Sequence, residues 1–272
     1  MIQEYNKLEA LNYSAAKEIL RSPRHYQDYM ANPPEQTHDM MLGSIAHLLT
    51  FQPLAAADHF TVLPPDAPKK PSKLQREAKK PSEDTVKAII WWDQFTSESA
   101  GKAILDADDY ATVTGIAAAA NKALRTLPIQ EMVVENAYQK EMSPGIFIKG
   151  RPDCHGTLLD GRKFLLDLKS ARMATPGAFA SEVADRKYHM QAAFYRELLG
   201  HTDADPYFLI PVEKDRIFGW RIYQLDLPTL EQGRKMMNEA VATYTICKAR
   251  DTWPGYPTEV AGLSIPNWAF DK

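Results

Sequence analysis

The sequence predicts an α/β or α+β fold with a helical N-terminal extension. Three observations lead there. Up to Pro128 the apolar residues recur mostly at helical spacing. From Ala137 to Lys169, short apolar runs alternate with turn signals at Ser143-Pro144-Gly145 and Asp160-Gly161. Beyond Thr175, helical and strand patterns follow one another, the order of a sheet covered by helices.

The elements follow in order. Ser14 reads as the N-cap of a short helix that stops near Pro23, and a second helix covers residues 24–31 before Asn32-Pro33-Pro34. In HDMMLGSIAHLLTF, Met41, Leu42, Ile45, Leu48 and Leu49 have helical spacing, with His47 four residues after Gly43. A glycine there costs about 1 kcal/mol against alanine, so it implies close packing against another element. Residues 61–82 hold five prolines and six basic residues and read as an extended, exposed loop, either a solvated linker or a contact for a phosphate backbone. Residues 83–127 are helical in pattern, with Asp106 as a cap within them. Strands are expected over 137–142, 146–153 and 163–169, then a helical stretch from Thr175-Pro176 to Leu199. Strands at 206–211 and 218–225 and a last helix over 227–248 complete the series. The whole reads as one domain, 1–272: a helical segment 1–60, the loop 61–82, a helical part 83–130, a core 131–250 and a tail 251–272.

With 272 residues, 44% of them hydrophobic, the chain can bury a sizeable core. No run approaches the roughly 18–20 apolar residues of a membrane span. The polar start MIQEYNKLEA lacks the basic-then-apolar pattern of a secretory signal. Two distant cysteines, Cys154 and Cys247, exclude a disulfide scaffold or a zinc knuckle and suit a reducing cytoplasm, the expected location. A net charge of −3 is neutral on function, because a nucleic-acid enzyme needs only local positive charge. Lys140, Lys149, Arg162, Arg172, Arg186 and Lys187 surround the site described next in sequence and are the candidates for such a channel.

The chemistry concentrates in GRPDCHGTLLDGRKFLLDLKS, residues 150–170. Asp167 and Lys169 are two apart on a strand and share a face, while Leu166 and Leu168 point to the other. A hairpin through Asp160-Gly161 would bring Asp153 beside Asp167. Two close carboxylates repel unless a cation lies between them, and Mg²⁺ prefers hard oxygen ligands. Such an ion polarises a phosphoryl oxygen and makes hydroxide accessible near neutral pH. A lysine beside it can orient or deprotonate the water and offset transition-state charge. An isolated Asp-x-Lys is common and, alone, reads as an ordinary ion pair.

The fuller pattern, Pro152-Asp153 followed after thirteen residues by Asp167-Leu168-Lys169, resembles the PD-(D/E)xK nuclease superfamily. With RSPRHYQDYM (21–30), LGSIAHLLTFQP (42–53) and YHMQAAFYRELL (188–199), the chain from about residue 10 to 250 is similar to the RecE-like exodeoxyribonuclease VIII nuclease domain. The resemblance implies a restriction-endonuclease-like core, a mixed central sheet flanked by helices. It implies that His47, Asp153, Asp167 and the main-chain carbonyl of Leu168 bind a metal, Mg²⁺ with Mn²⁺ as a substitute that tolerates histidine better. It gives catalytic roles to Asp153, Asp167 and Lys169, and to Gln191 and Tyr195, which stand i, i+4 on one helical face. Arg151, Ser170 and Arg172 are candidate phosphate contacts, and Glu141 a candidate second metal or water contact. His155 lies nearer Asp153 in sequence, but the pattern does not select it.

The implied activity is exonucleolytic: hydrolysis of linear double-stranded DNA from its ends, 5′ to 3′, leaving 3′ overhangs for recombination by strand annealing. The implied partners are DNA ends, a RecT-type single-strand annealing protein and, through ring formation, copies of the chain itself, encoded by phages or bacteria. Three rivals remain: a structure-specific or restriction-type endonuclease on the same core, an inactive DNA-binding protein, and a metal hydrolase acting on something other than nucleic acid. Trp91, Trp92 and Tyr188 could stack on unpaired bases, although helical periodicity buries at least one of the tryptophans.

Overall fold

The structure is a computed structural model that describes residues 7–265. The readings of the extreme N-terminus (1–6) and of the last part of the tail (266–272) lie outside the described residues.

Two short helices open the chain, α1 (Tyr13–Arg21) and α2 (Pro23–Ala31). The N-cap of α1 is Asn12, not Ser14: the Asn12 side chain accepts from the Ala15 N–H. Ser22 then caps α2, with Pro23 in its first turn, where a missing N–H costs nothing. Next come α3 (His38–Phe51), α4 (Pro53–Ala56) and β1 (Phe60–Val62). After α5 (Lys73–Arg76) and α6 (Glu83–Glu98), β2 (Ala103–Leu105) returns to pair in parallel with β1. Residues 63–102 are therefore a βαβ excursion closed at its base, and the 61–82 stretch is more ordered than a free linker. Asp106 caps α7 (Ala107–Leu124) through the Asp109 N–H, as its position predicts.

The strands that follow are β3 (Ile129–Val134), β4 (Tyr138–Ser143), β5 (Ile146–Gly150), β6 (Cys154–Leu158) and β7 (Lys163–Ala171). The 146–153 run is not one strand. It leaves the ladder at Arg151-Pro152-Asp153, where proline has no N–H to give. β4 and β5 form a separate hairpin, while β6 pairs with β7 and with β3, a strand that periodicity alone does not reveal. The helical stretch after Thr175 is two helices, α8 (Pro176–Arg186) and α9 (Tyr188–Leu199). They break at Lys187, whose φ of 59° is left-handed and incompatible with a continuing helix. β8 (Tyr207–Glu213), β9 (Tyr223–Gln224) and α10 (Leu227–Arg250) complete the chain. The strand expected over 218–225 shrinks to β9 and a single bridge, Val212–Trp220.

The main sheet runs β3-β6-β7-β8-β9, antiparallel except for the parallel β7–β8 pair. This is the mixed central sheet flanked by helices. Alternation along β7 and β8 divides the core between its two faces. Leu165, Ala171, Tyr207 and Leu209 join the α1, α8, α9 and α10 side, whereas Leu166, Leu168, Phe208 and Ile210 join the α3 and α7 side. Asp167 and Lys169 thus occupy two consecutive positions between the buried Leu165 and Ala171 of the same face. Among the described residues no helix is long and apolar enough to cross a membrane.

Candidate active site

The register of the β6–β7 hairpin, Cys154 opposite Leu166, places Asp153 opposite Asp167 one step beyond the last paired residue. The ladder ends there, so the Leu168 N–H donates to Asp153 Oδ2 at 2.7 Å. Asp153 and Asp167 are both buried, Asp167 to 1% exposure. Gly150 of the Gly-Arg-Pro-Asp turn has a steric reason. A Cβ there would stand 2.8 Å from the Tyr195 ring and 2.7 Å from Leu198 Cδ1, so a side chain would force those two α9 side chains to shift.

Lys169 reaches from β7 towards α9. Its ammonium contacts Asp167 Oδ2 and donates to Gln191 Oε1 at 2.9 Å, and it lies 4.3 Å from the centre of the Tyr188 ring. Gln191 Nε2 in turn donates to the Tyr195 hydroxyl at 3.0 Å. The structure thus links Asp167, Lys169, Gln191 and Tyr195 in one chain of contacts. Tyr188 serves as a platform for the ammonium.

On the other side, α3 brings His47 Nδ1 to 3.4 Å from Asp153 Oδ2 and 3.9 Å from Glu135 Oε1. Glu135 is not among the residues that the sequence singles out. It follows β3, with φ of 52°, and its other oxygen is 3.1 Å from Arg151 Nε. Its N–H donates to the Asp153 carbonyl, which ties β3 to the turn. A carboxylate flanked by a strand that periodicity does not reveal offers little signal; the only local hint is Glu135-Asn136 after the apolar Met132-Val133-Val134 run.

Donor atoms of His47, Glu135 and Asp153 all lie within 4.8 Å of one another, close enough to hold one metal ion. Asp167 is not in that group. Its Oδ2 is drawn to Lys169, while its buried Oδ1 has no hydrogen-bond partner. An unpartnered buried carboxylate oxygen beside three clustered donors fits a divalent cation, because such an ion supplies the missing counter-charge.

The electrostatics agree. Burial, reinforced by the charge of Asp153, pushes the Asp167 carboxyl up to about 6. Burial and Asp153 likewise push Glu135 up to about 7. Burial would also raise Asp153, but the His47 charge and hydrogen bond, Lys169 and the Leu168 N–H outweigh it and hold Asp153 low. His47 is the counterpart: burial opposes its charge, yet Asp153 carries it up to about 9. Burial opposes the Lys169 charge too, and Asp167 and Asp153 more than restore it. Burial thus raises two of the carboxyls, and the proton drawn onto His47 is one that a metal ion would displace on binding.

Other expected residues take different places. Glu141 accepts from the Gly145 N–H inside the β4–β5 hairpin, where it caps a turn, and it lies outside the cluster of His47, Glu135 and Asp153. His155 bonds the Tyr138 hydroxyl at 2.6 Å. Lys140 pairs with Glu197, Lys149 is buried with its ammonium on the Leu8 carbonyl, and Arg162 pairs with Asp160 in its own turn. Each of these three cations is thus engaged by a neighbour within the protein. Arg172 is exposed just past β7. Ser170 faces Gly43, but a Cβ on Gly43 would lie an ordinary 3.6 Å from Ser170 Oγ, so close packing does not demand the glycine. Trp92 is buried and half-buried Trp91 stacks on Phe95, centroids 4.9 Å apart, which makes the pair a packing feature.

A mixed sheet that breaks at Pro-Asp and presents Asp-x-Lys on the neighbouring strand defines the PD-(D/E)xK class of proteins. Within it, the chain belongs to the family of the PDDEXK-like domain of unknown function, DUF3799, whose model matches residues 12–263. Among solved structures, it is similar to a Eubacterium rectale protein described as a candidate exonuclease. The identity is 11%, over 98% of this chain and 94% of that one, with a TM-score of 0.56, a likeness of fold. The structure of SSO0001 matches at 14% identity over 56% of this chain and 69% of that one, with a TM-score of 0.32, and carries no argument. No curated protein matches the chain.

Proposed function

We propose that the protein is a metal-dependent DNA exonuclease that hydrolyses linear duplex from its ends, 5′ to 3′, and leaves 3′ overhangs. The observation that carries the nuclease reading is the meeting of Asp153, His47 and Glu135 with the Asp167–Lys169–Gln191 chain in one buried pocket of charge. The Eubacterium rectale likeness supports the exonuclease form of it.

In this reading His47, Glu135, Asp153, Asp167 and the Leu168 carbonyl are the residues to hold the ion, Mg²⁺ or Mn²⁺. When bound, the ion supplies Lewis-acid polarisation of the phosphoryl oxygen and a more acidic water. The side chains do the rest. Lys169, kept charged by its flanking carboxylates, places its ammonium where negative charge grows on the phosphorus oxygens. In this reading Lys169 offsets that charge and orients the attacking water. Gln191 fixes that ammonium through its Oε1, and the Tyr195 hydroxyl fixes the Gln191 amide. Arg151, Ser170 and Arg172 are the phosphate contacts in this reading, Arg151 being already 3.1 Å from Glu135. A RecT-type annealing protein as partner and a ring of several copies around DNA belong to the same proposal.

Digestion of linear duplex labelled separately at its 5′ and 3′ ends, with and without Mg²⁺, tests this, with a covalently closed circle alongside. Early, metal-dependent release of the 5′ label with the circle left whole is expected. Cutting of the circle would replace the exonuclease by an endonuclease of the same class. Loss of the 3′ label first would reverse the polarity. Sedimentation of the protein at working concentration tests the ring, which a persistent monomer would rule out.

A further inference from the structure

The residues between β1 and β2 take no part in the site, yet they carry the densest positive charge of the chain. Residues 61–82 hold Lys69, Lys70, Lys73, Arg76, Lys79 and Lys80 against Asp66 and Glu77, a net +4. Since the whole chain is −3, all other residues together carry −7. This strap is built, not loose. The Trp92 indole donates to the Pro68 carbonyl at 2.8 Å, Pro71 is buried, and Lys70 Nζ stands 5.1 Å from the centre of the Trp92 ring. Arg76 pairs with Asp93 of α6 at 2.7 Å, and Ser72 and Gln75 form a capping box. Pairing of β1 with β2 anchors its first residues, and Ser82 at its far end caps α6 through the Thr85 N–H.

Helix α6 beneath the strap carries Glu83, Asp84, Asp93 and Glu98 against Lys87, a net −3. Opposite charge is therefore within reach, and among the described ion pairs only Arg76 crosses to it. Lys73 pairs at 3.9 Å with Glu77 inside the strap, but its side chain is 88% exposed, a pair of little energetic weight. Lys69, Lys79 and Lys80 are exposed and have no ion pair among the described residues. Prolines hold a chain extended and lower the entropy that a backbone loses on binding. Exposed lysines without an ion pair among the described residues, carried on a preorganised strap, suit the phosphates of duplex DNA, whose neutralisation releases condensed counterions.

We propose that the 61–82 strap on its α6 support is a grip for the phosphate backbone of duplex DNA, separate from the catalytic centre. The proposal rests on the nuclease reading for its partner, and its test is independent of catalysis. The full chain is assayed for binding to a blunt duplex of about 40 base pairs in EDTA across a salt series. A variant carrying Lys69→Gln, Lys73→Gln, Lys79→Gln and Lys80→Gln is compared with one carrying Lys122→Gln, Lys163→Gln, Lys235→Gln and Arg250→Gln, four exposed cations elsewhere.

The strap variant is expected to bind roughly 10- to 100-fold more weakly at low salt, and its log–log salt slope to fall by up to about 3.6, at about 0.9 for each of the four phosphates no longer neutralised. The control variant keeps affinity and slope. Metal-dependent hydrolysis of bis(p-nitrophenyl) phosphate, which has a single diester and no backbone to grip, stays unchanged in the strap variant. Equal weakening in both variants, parental binding by the strap variant, or no duplex binding by the parent would overturn the grip. If the parent cleaves no diester yet the strap variant alone loses binding, the nuclease reading fails and the grip stands.

Discussion

A carboxylate 1% exposed, with one oxygen unpartnered and a second carboxylate across the hairpin, costs the fold stability unless something compensates it. Asp167 is in that position, and Lys169 answers only half of it. Replacing Asp167 by Asn keeps the shape and removes the repulsion. Asp167→Asn is therefore expected to stabilise the protein in EDTA by roughly 0.5–2 kcal/mol and to lower diester hydrolysis by roughly 10²–10³-fold or more. Thermal unfolding and a hydrolysis assay on the same preparation check both, and a variant less stable than the parent would show that Asp167 is satisfied without metal. Glu135 supplies the second residue-scale outcome. Its oxygens are shared between His47 and Arg151, so Glu135→Gln should weaken metal affinity about 10-fold or more. Calorimetric titration with Mn²⁺ reads this directly, and parental affinity would exclude Glu135 from the ligand set.

Helix α9 is the element on which the site's alignment depends, since Gln191 and Tyr195 set the position of Lys169. It is held from behind by α10, where Gly233 meets the α9 backbone. A Cβ on Gly233 would lie 1.9 Å from the His189 carbonyl oxygen, a backbone atom that can move only with the helix. Gly233→Ala should therefore destabilise by about 1–3 kcal/mol and reduce hydrolysis through displacement of Gln191, with metal affinity less affected. Urea unfolding that stays within about 0.5 kcal/mol of the parent would mean that α10 yields instead. The other element that matters is the Arg151-Pro152-Asp153 break. Read as part of a single strand over 146–153, it still predicts Asp153 beside Asp167, because the register across Asp160-Gly161 is set from the β7 side. The expectation about the site survives the error about the strand.

For the whole molecule, clustered donor atoms beside an unpartnered buried carboxylate oxygen predict that folding and metal binding are linked. A ligand that binds only the folded state stabilises it by about 2.7 kcal/mol at a hundred times its dissociation constant. Mg²⁺ or Mn²⁺ should raise the melting temperature of the parent in a concentration-dependent way, and should raise that of Asp167→Asn less. An unchanged melting temperature in millimolar metal would remove the centre proposed at His47, Glu135 and Asp153. The charge map of the molecule is equally uneven, with the strap positive on an acidic chain.

What the sequence by itself determined is local and chemical: the Asp106 cap, turn residues, the alternation of β7, and the Pro-Asp and Asp-Leu-Lys residues whose spacing marks the site. Alternation and i, i+4 spacing act over a few residues, so a sequence carries them openly. Tertiary structure alone decided which distant residues meet. Glu135 reaches the site because β3 pairs with β6, Glu141 is taken up by a hairpin turn, and Lys140, Lys149 and Arg162 are held by structural partners. Pairing across a sheet is set by burial on both faces at once, which no window along the chain contains. The same reason explains the strap: its lysines are plain in the sequence, but only the fold shows that α6 leaves most of them unpaired.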